Sequence, residues 1–394
     1  MKKSIILLLA LVIFLETQAQ KVAFEPSLSK VFEKAVLENK MVFVKHYNSD
    51  CPVCLRLEPF WENPEVVDFY NKNFVSYALD TKHLQDEEKE LLEKANLHFV
   101  NVPNLVFFDK NKNFAHYSYT QEDAAFLIKV GKDALSPTDR GANLAAKYEK
   151  GDRSIRTLYA YNTLLQIQQK DSLARVVAAD LYEVFPKSNL ASKKSFNITK
   201  DCVTDVDNGF FVFWIENMKD ATFFYPIERV KSELGNIIFK SIYQPNRAAW
   251  RVEKISKVKN YVLKTGLSAN PDVFFWQEES KVLCKQGQEK EAFALANKMW
   301  AYYKNDENAS KLFLIGHFAA LYQKKQHLRV LDEWLKTLSI KAEEKEEKAD
   351  FYYLKSLVMK KYASKKDFKA FFREAKTYYE VEKLDMKLLQ GLEK

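Results

Sequence analysis

The sequence predicts an α/β fold, a mixed sheet flanked by helices, followed by an all-α region of helical hairpins. Three observations predict it. Up to about residue 136, short apolar runs alternate with helical periods. Beyond residue 137 the helical periods dominate and strand-like runs stop. Within the first part, the tetrapeptide Cys51-Pro52-Val53-Cys54 falls between a strand-like run and a helical one.

The elements follow in order. Ser27 to Asn39 sets Leu28, Val31, Phe32, Ala35, Val36 and Leu37 at helical spacing, with Ser27 or Ser29 as cap. Met41 to Tyr47 is a buried strand. A helix takes in Cys54 and continues to about Trp61, and Pro64 opens a short helix over 65–71. Phe74 to Asp80 is the second strand, and Asp86 to Ala95 a charged amphipathic helix. Val102 to Phe108 leads into the third strand. Asp109 to Asn113 is a turn whose asparagines tolerate a left-handed backbone. Phe114 to Tyr119 pairs back as a hairpin strand, and Gln121 to Leu135 closes the domain. The order α, β, α, β, α, β, β, α places parallel strands and a hairpin in one sheet with helices on both faces. No glycine precedes Gly131, so sharp turns fall to Asn and Asp.

Helical periods then run from Ala142 to Lys150, Ser154 to Gln169 and Asp171 to Phe185, and resume from Asp205 to Val381. Gly287-Gln288 between two of them, followed by Ala292, Ala294 and Ala296, resembles the turn and small-residue packing of helical hairpins. No strict repeat length is visible. Aromatic pairs such as Phe223-Phe224, Phe274-Phe275 and Tyr378-Tyr379 read as helix-packing residues, with a peptide groove as the other option.

The first residues bear on compartment. Met1-Lys2-Lys3 is basic, Ile5 to Leu15 is apolar, and Thr17-Gln18-Ala19 is a cleavage-type ending. Such a segment is a secretory signal, too short for a membrane span of about 20 residues. The expected organisation is a signal peptide over 1–19, an α/β domain over 20–136 and a helical extension over 137–394. The expected location is periplasmic or extracellular, with no membrane span left after signal removal. Of 394 residues, 47% are hydrophobic and 14% aromatic, ample for packed cores. The net charge of +8 is spread over lysines interleaved with glutamates. That pattern describes solvated helix faces and not a nucleic-acid footprint.

The 4 cysteines are too few for a disulfide-stapled scaffold. Cys202 and Cys284 read as two buried thiols, with a bridge between them as the other option. Cys51 and Cys54 lie three apart at a helix start, where both sulfurs can approach on one turn. The first sulfur then meets free N–H groups and the positive end of the helix dipole, which stabilise a thiolate. Thiolate is the reactive form in disulfide exchange.

Those residues, with Lys40-Met41-Val42-Phe43-Val44 before the pair, Pro59 after it, and Val100 to Phe108 closing the pattern, resemble the thioredoxin superfamily. The resemblance covers about residues 21–136. It implies a cis proline at Pro103, facing the two cysteines, with the Val102 backbone offered to an extended substrate peptide. Val102 and Pro103 are therefore the expected substrate platform. It implies that Cys51 attacks a substrate disulfide and that the more buried Cys54 resolves the mixed disulfide. The redox group is then the Cys51–Cys54 pair itself, with no separate cofactor and no metal. The partners are protein thiols or disulfides of the cell envelope.

Several positions depart from the family pattern. Asp50 stands where tryptophan is usual, Pro-Val replaces Gly-Pro, and Asn104 replaces threonine after the cis proline. Lys45 stands six residues before Cys51, where many members keep a buried aspartate. Lys45 under the pair favours thiolates and a more oxidising couple; snorkelling out at the strand end, it does neither. Asp50 beside Cys51 acts in the opposite sense. His46 reads as a packed or edge histidine. The alternative function is a non-catalytic thioredoxin-like module whose helical region docks a protein partner and whose cysteines form a fixed disulfide. A zinc site is the weakest reading: one C-x-x-C supplies two ligands of four, and His98 and His116 would have to be recruited by folding.

Overall fold

The computed structural model describes residues 21–341, 343–362 and 365–393. The expected signal peptide lies outside the described residues. The chain forms two compact units. One comprises the described residues up to Val203 together with Asp207–Phe213; the other comprises Thr204–Val206 and the chain from Trp214 onward.

The first unit holds a five-stranded mixed sheet. Its strands are β1 (Phe24–Glu25), β2 (Met41–Tyr47), β3 (Phe74–Asp80), β4 (Asn104–Phe108) and β5 (Phe114–Tyr119), in the order β1-β3-β2-β4-β5. β2 runs parallel to β3, pairing Met41 with Phe74 through Tyr47 with Asp80. β2 runs antiparallel to β4, and β4 antiparallel to β5. The short β1, parallel to β3, is an element that the sequence reading omits. Two residues are too few for a strand period to show.

Helices cover both faces. α1 (Leu28–Glu38) is capped by Ser27, whose side chain accepts the Lys30 N–H. Its Phe32 ring meets Phe108 edge-on at 6.3 Å. Neighbouring strand residues point to opposite faces, so Phe107 belongs to the other layer. There it packs with Phe43, Trp61, Tyr70 and Leu127. Phe43 lies on β2 beside it; Trp61 comes from the segment after Cys54, Tyr70 from α3 (Pro64–Asn73) and Leu127 from α5 (Ala124–Leu135). α2 (Pro52–Leu57) is shorter than expected: at Glu58 the backbone tightens to a 3₁₀ helix over Glu58–Glu62. α4 (Asp86–Lys94) precedes the loop to β4.

Sharp turns do use asparagine: Asn39 and Asn96 sit at φ of 51° and 52°. In the Asp109–Asn113 turn the left-handed residue is instead Lys112, at φ 68°. Both asparagine-side positions around it are committed to Asp109, whose carboxylate accepts the Asn111 and Asn113 N–H groups.

The first unit continues through α6 (Leu144–Glu149), α7 (Ile155–Ile167), α8 (Asp171–Val184) and α9 (Lys193–Cys202). α9 falls in a stretch that the sequence reading leaves without a helix. Its charged Lys193, Lys194, Lys200 and Asp201 obscure a buried stripe of Phe196, Ile198, Thr199 and Cys202.

The second unit is helical among its described residues. Two of its helices, Asp272–Lys285 and Glu289–Tyr302, are joined across Gly287 at φ 78°, a conformation that suits glycine. They share one core through Trp276, Leu283, Ala292, Ala296 and Met299. Ala294, expected there with its neighbours, is exposed, because a helix buries positions four apart and not two. Phe275 and Tyr379 are buried as packing residues, but Phe223 is exposed. Among the described residues no helix is long and apolar enough to cross a membrane.

Candidate functional site

β2 and the start of α2 bring the two cysteines together. Cys51 is the N-cap of α2, with an extended backbone (φ −81°, ψ 117°) and Pro52 at the first helical position. Proline there loses no hydrogen bond, since the first N–H groups of a helix have no partner within it. The Cys51 sulfur takes up one of those orphan donors, the Cys54 N–H, at 3.4 Å. Cys51 is partly exposed and Cys54 is buried.

The environments pull the two thiols apart. Burial works against a Cys51 thiolate. The Cys54 thiol, the N–H groups of Cys54 and Val53, and the Arg56 charge outweigh it and bring the Cys51 pKa below its ordinary value. For Cys54, burial dominates. The Asn48 backbone bond relieves it in part, the bond to Cys51 adds to it, and the thiol is pushed up to about 11. One sulfur is thus accessible and primed to ionise; the other is shielded and protonated.

Lys45 is buried on β2, at 6% exposure, which decides between the two placements left open by the sequence. Its Nζ lies 2.5 Å from Glu58 Oε1 and 4.7 Å from the centre of the Tyr47 ring. Its charge acts on Cys54, where it favours the thiolate. The cation that acts on Cys51 is Arg56, itself paired with Glu122 at 2.7 Å. Asp50 is exposed and engaged by Lys82 at 2.7 Å. Sequence reasoning missed Arg56, Glu58 and Asn48. Of these, Glu58 had a detectable cue: it stands four residues after Cys54, hence on the same helix face.

The Val102–Pro103 peptide bond is cis. Asn104, buried at the start of β4, donates to the Asn101 carbonyl at 2.6 Å, and its side-chain nitrogen lies 3.2 Å from His46 Nδ1. The Tyr117 hydroxyl donates to its Oδ1 at 3.2 Å. His46 is a packed histidine, as expected, and burial lowers its pKa to about 4.

Cys202 is buried, Cys284 only partly so, and neither is disulfide-bonded. His98 is exposed, whereas His116 accepts the Gly141 N–H at 2.9 Å. Among the described residues no group of three or more His, Cys, Asp or Glu side chains is arranged to hold a metal ion.

No family model matches the chain, and no curated protein matches it. Among solved structures it is similar to the solution structure of a candidate disulphide-isomerase from Bacteroides thetaiotaomicron. That similarity has 28% sequence identity and a TM-score of 0.27, and covers 31% of this chain and 98% of the other.

Proposed function

We propose that the chain is an exported thiol–disulfide oxidoreductase with a thioredoxin-like domain, acting on protein thiols and disulfides of the cell envelope through Cys51 and Cys54. The observation that carries this reading is the asymmetry of the pair: a partly exposed, acidified Cys51 sulfur at the helix start beside a buried, protonated Cys54. Disulfide exchange needs an accessible thiolate and a second thiol protected from competing reactions.

The Cys51 thiolate attacks one sulfur of a substrate disulfide; that S–S bond breaks, a Cys51–substrate disulfide forms, and one substrate thiolate leaves. Cys54 then gives up its proton and attacks the Cys51 sulfur. The Cys51–Cys54 disulfide forms, and the second substrate thiolate departs and takes a proton. The substrate gains two electrons and the pair loses them. In reverse, the oxidised pair gives its disulfide to a substrate dithiol. Val102 and Pro103 are proposed to hold the substrate backbone in line for either direction.

Trapping tests the reading. Cys54→Ser should accumulate mixed disulfides with envelope proteins through Cys51, and Cys51→Ser should abolish them. No exchange by the native protein, or a reduction potential below about −300 mV as in structural bridges, would instead support a thioredoxin-like binding module with a fixed disulfide and a protein docked on its helical region.

A further inference from the structure

The loop that carries Val102 and Pro103 is fastened to a helix from beyond the sheet. Just past the end of α4, the left-handed backbone of Asn96 (φ 52°) lets the Leu97 N–H close onto the Leu92 carbonyl. From there the chain runs without regular structure to β4. α7 supplies the other half. The last carbonyls of a helix have no partner within it. At the end of α7, the Ile167 carbonyl accepts the His98 N–H at 2.9 Å, and the Gln168 carbonyl accepts Asn96 Nδ2 at 2.9 Å. Asn96 Oδ1 in turn lies 3.1 Å from His98 Nε2.

The same loop is held from the sheet side. The Phe99 ring lies 4.6 Å from His46 and stacks on Tyr117 at 5.6 Å. Asn104 grips the Asn101 carbonyl. Between these attachments Val100 stands almost wholly in solvent, at 94% exposure. Leu97, buried at the start of the loop, is its other apolar anchor.

We propose that the C-terminal end of α7 positions the loop over residues 95–103, so that Asn96 and His98 are positioning residues for the Val102–Pro103 substrate platform. The inference rests on the oxidoreductase reading and extends it: α7, a helix from beyond the sheet, supports the loop that carries the substrate platform. Asn96 acts through the loop and touches no reacting atom. Its loss should weaken substrate binding and leave the sulfur chemistry as it was.

The test uses the full chain. Asn96→Asp keeps a residue that tolerates the left-handed backbone and can still meet His98, but sets an acceptor against the Gln168 carbonyl. Asn96→Gly keeps the backbone and removes the side chain, which controls for the new charge. Both should raise the KM for a disulfide-bonded peptide about threefold to tenfold, the loss of one hydrogen bond. The kcat and the Cys51–Cys54 reduction potential should not move, and the His98 amide should exchange faster. A native-like KM and native-like His98 protection in both variants would overturn the proposal while the enzyme reading stands. Absence of peptide turnover in the unsubstituted protein would overturn the enzyme reading itself, and the proposal with it.

Discussion

Lys45 places a buried ammonium 2.5 Å from a half-exposed carboxylate, Glu58, on the segment that follows Cys54. Lys45, Cys54 and Glu58 form one electrostatic group with Tyr47, whose pKa is raised first by burial and then by Asp80, Glu58 and Cys54. The strand cation and the helix anion therefore have unequal needs. Glu58→Gln leaves the ammonium buried without its anion and should destabilise the first unit by about 1–3 kcal/mol, less than for a fully buried pair because Glu58 meets water. Lys45→Met removes the buried charge and should change stability by less than about 1 kcal/mol. Urea unfolding of the two variants checks the ranking; a more damaging Lys45→Met would show that the ammonium is not the buried partner at risk.

Lys45→Met should also slow the resolving step. With the Cys54 thiol already pushed to about 11, each further unit lowers its thiolate fraction about tenfold at neutral pH. Rapid acid quenching should show more Cys51–substrate mixed disulfide in the variant. The reduction potential at neutral pH should change little, because Cys54 is protonated in the reduced protein with or without the lysine. On the proposed reading, Lys45 bears on the speed of resolution through Cys54, and the groups around Cys51 bear on the poise of the couple.

Cys51 should alkylate as a low-pKa thiol. Its rate with iodoacetamide should rise with pH and level off below the pH at which an exposed cysteine with a pKa of about 8.5 does so. Arg56→Gln should move that profile upward by less than about one unit, since Arg56 is exposed and shares its charge with Glu122. A profile centred above that of a free cysteine would show that burial outweighs the hydrogen bonds to the Cys51 sulfur.

Much of the α/β part was legible because it obeys local rules. Met41 to Tyr47 and Phe74 to Asp80 read as strands from short runs dominated by apolar and aromatic residues, and Ser27 is one of the two serines that read as caps. The cysteine pair was legible as a motif. Its electrostatics were less so: Arg56 looks like any surface charge on a helix, and the spacing that puts Glu58 on the face of Cys54 does not show that its partner is Lys45, which only the fold supplies. The α7 attachment was invisible for the same reason. Asn96 and Gln168 lie 72 residues apart, and the bond ends on a backbone carbonyl. α9 was hidden by charge, and β1 by its length.

Gly131 illustrates a residue whose role is spatial. It lies in mid-helix on α5, where alanine is ordinarily favoured by about 1 kcal/mol. A Cβ there would run into the Phe69 ring and press on Phe74 at 3.3 Å. Overpacking costs about 1–3 kcal/mol, so Gly131→Ala should be neutral to destabilising by about 2 kcal/mol in thermal unfolding. A clear gain in stability would mean that Phe69 swings away freely.

The first unit should be sensitive to mild acid. His46 and His116 are both buried enough to hold their pKa near 4. In the unfolded chain a histidine titrates near 6.5. Between those values the unfolded state binds the extra proton, so stability is fully present above about pH 6.5 and is lost as pH falls toward 4. Each histidine contributes on the order of 3 kcal/mol over that window. The two sites differ in what they hold. His46 faces Asn104 at the start of β4, whereas His116 accepts the Gly141 N–H through Nδ1, a bond that protonation destroys. His116→Asn can still offer an oxygen acceptor and cannot take a proton at this pH. It should flatten the fall in unfolding temperature between pH 6.5 and 4.5 relative to the native chain. An unchanged slope would place the acid sensitivity elsewhere and leave the Gly141 contact without a role in it.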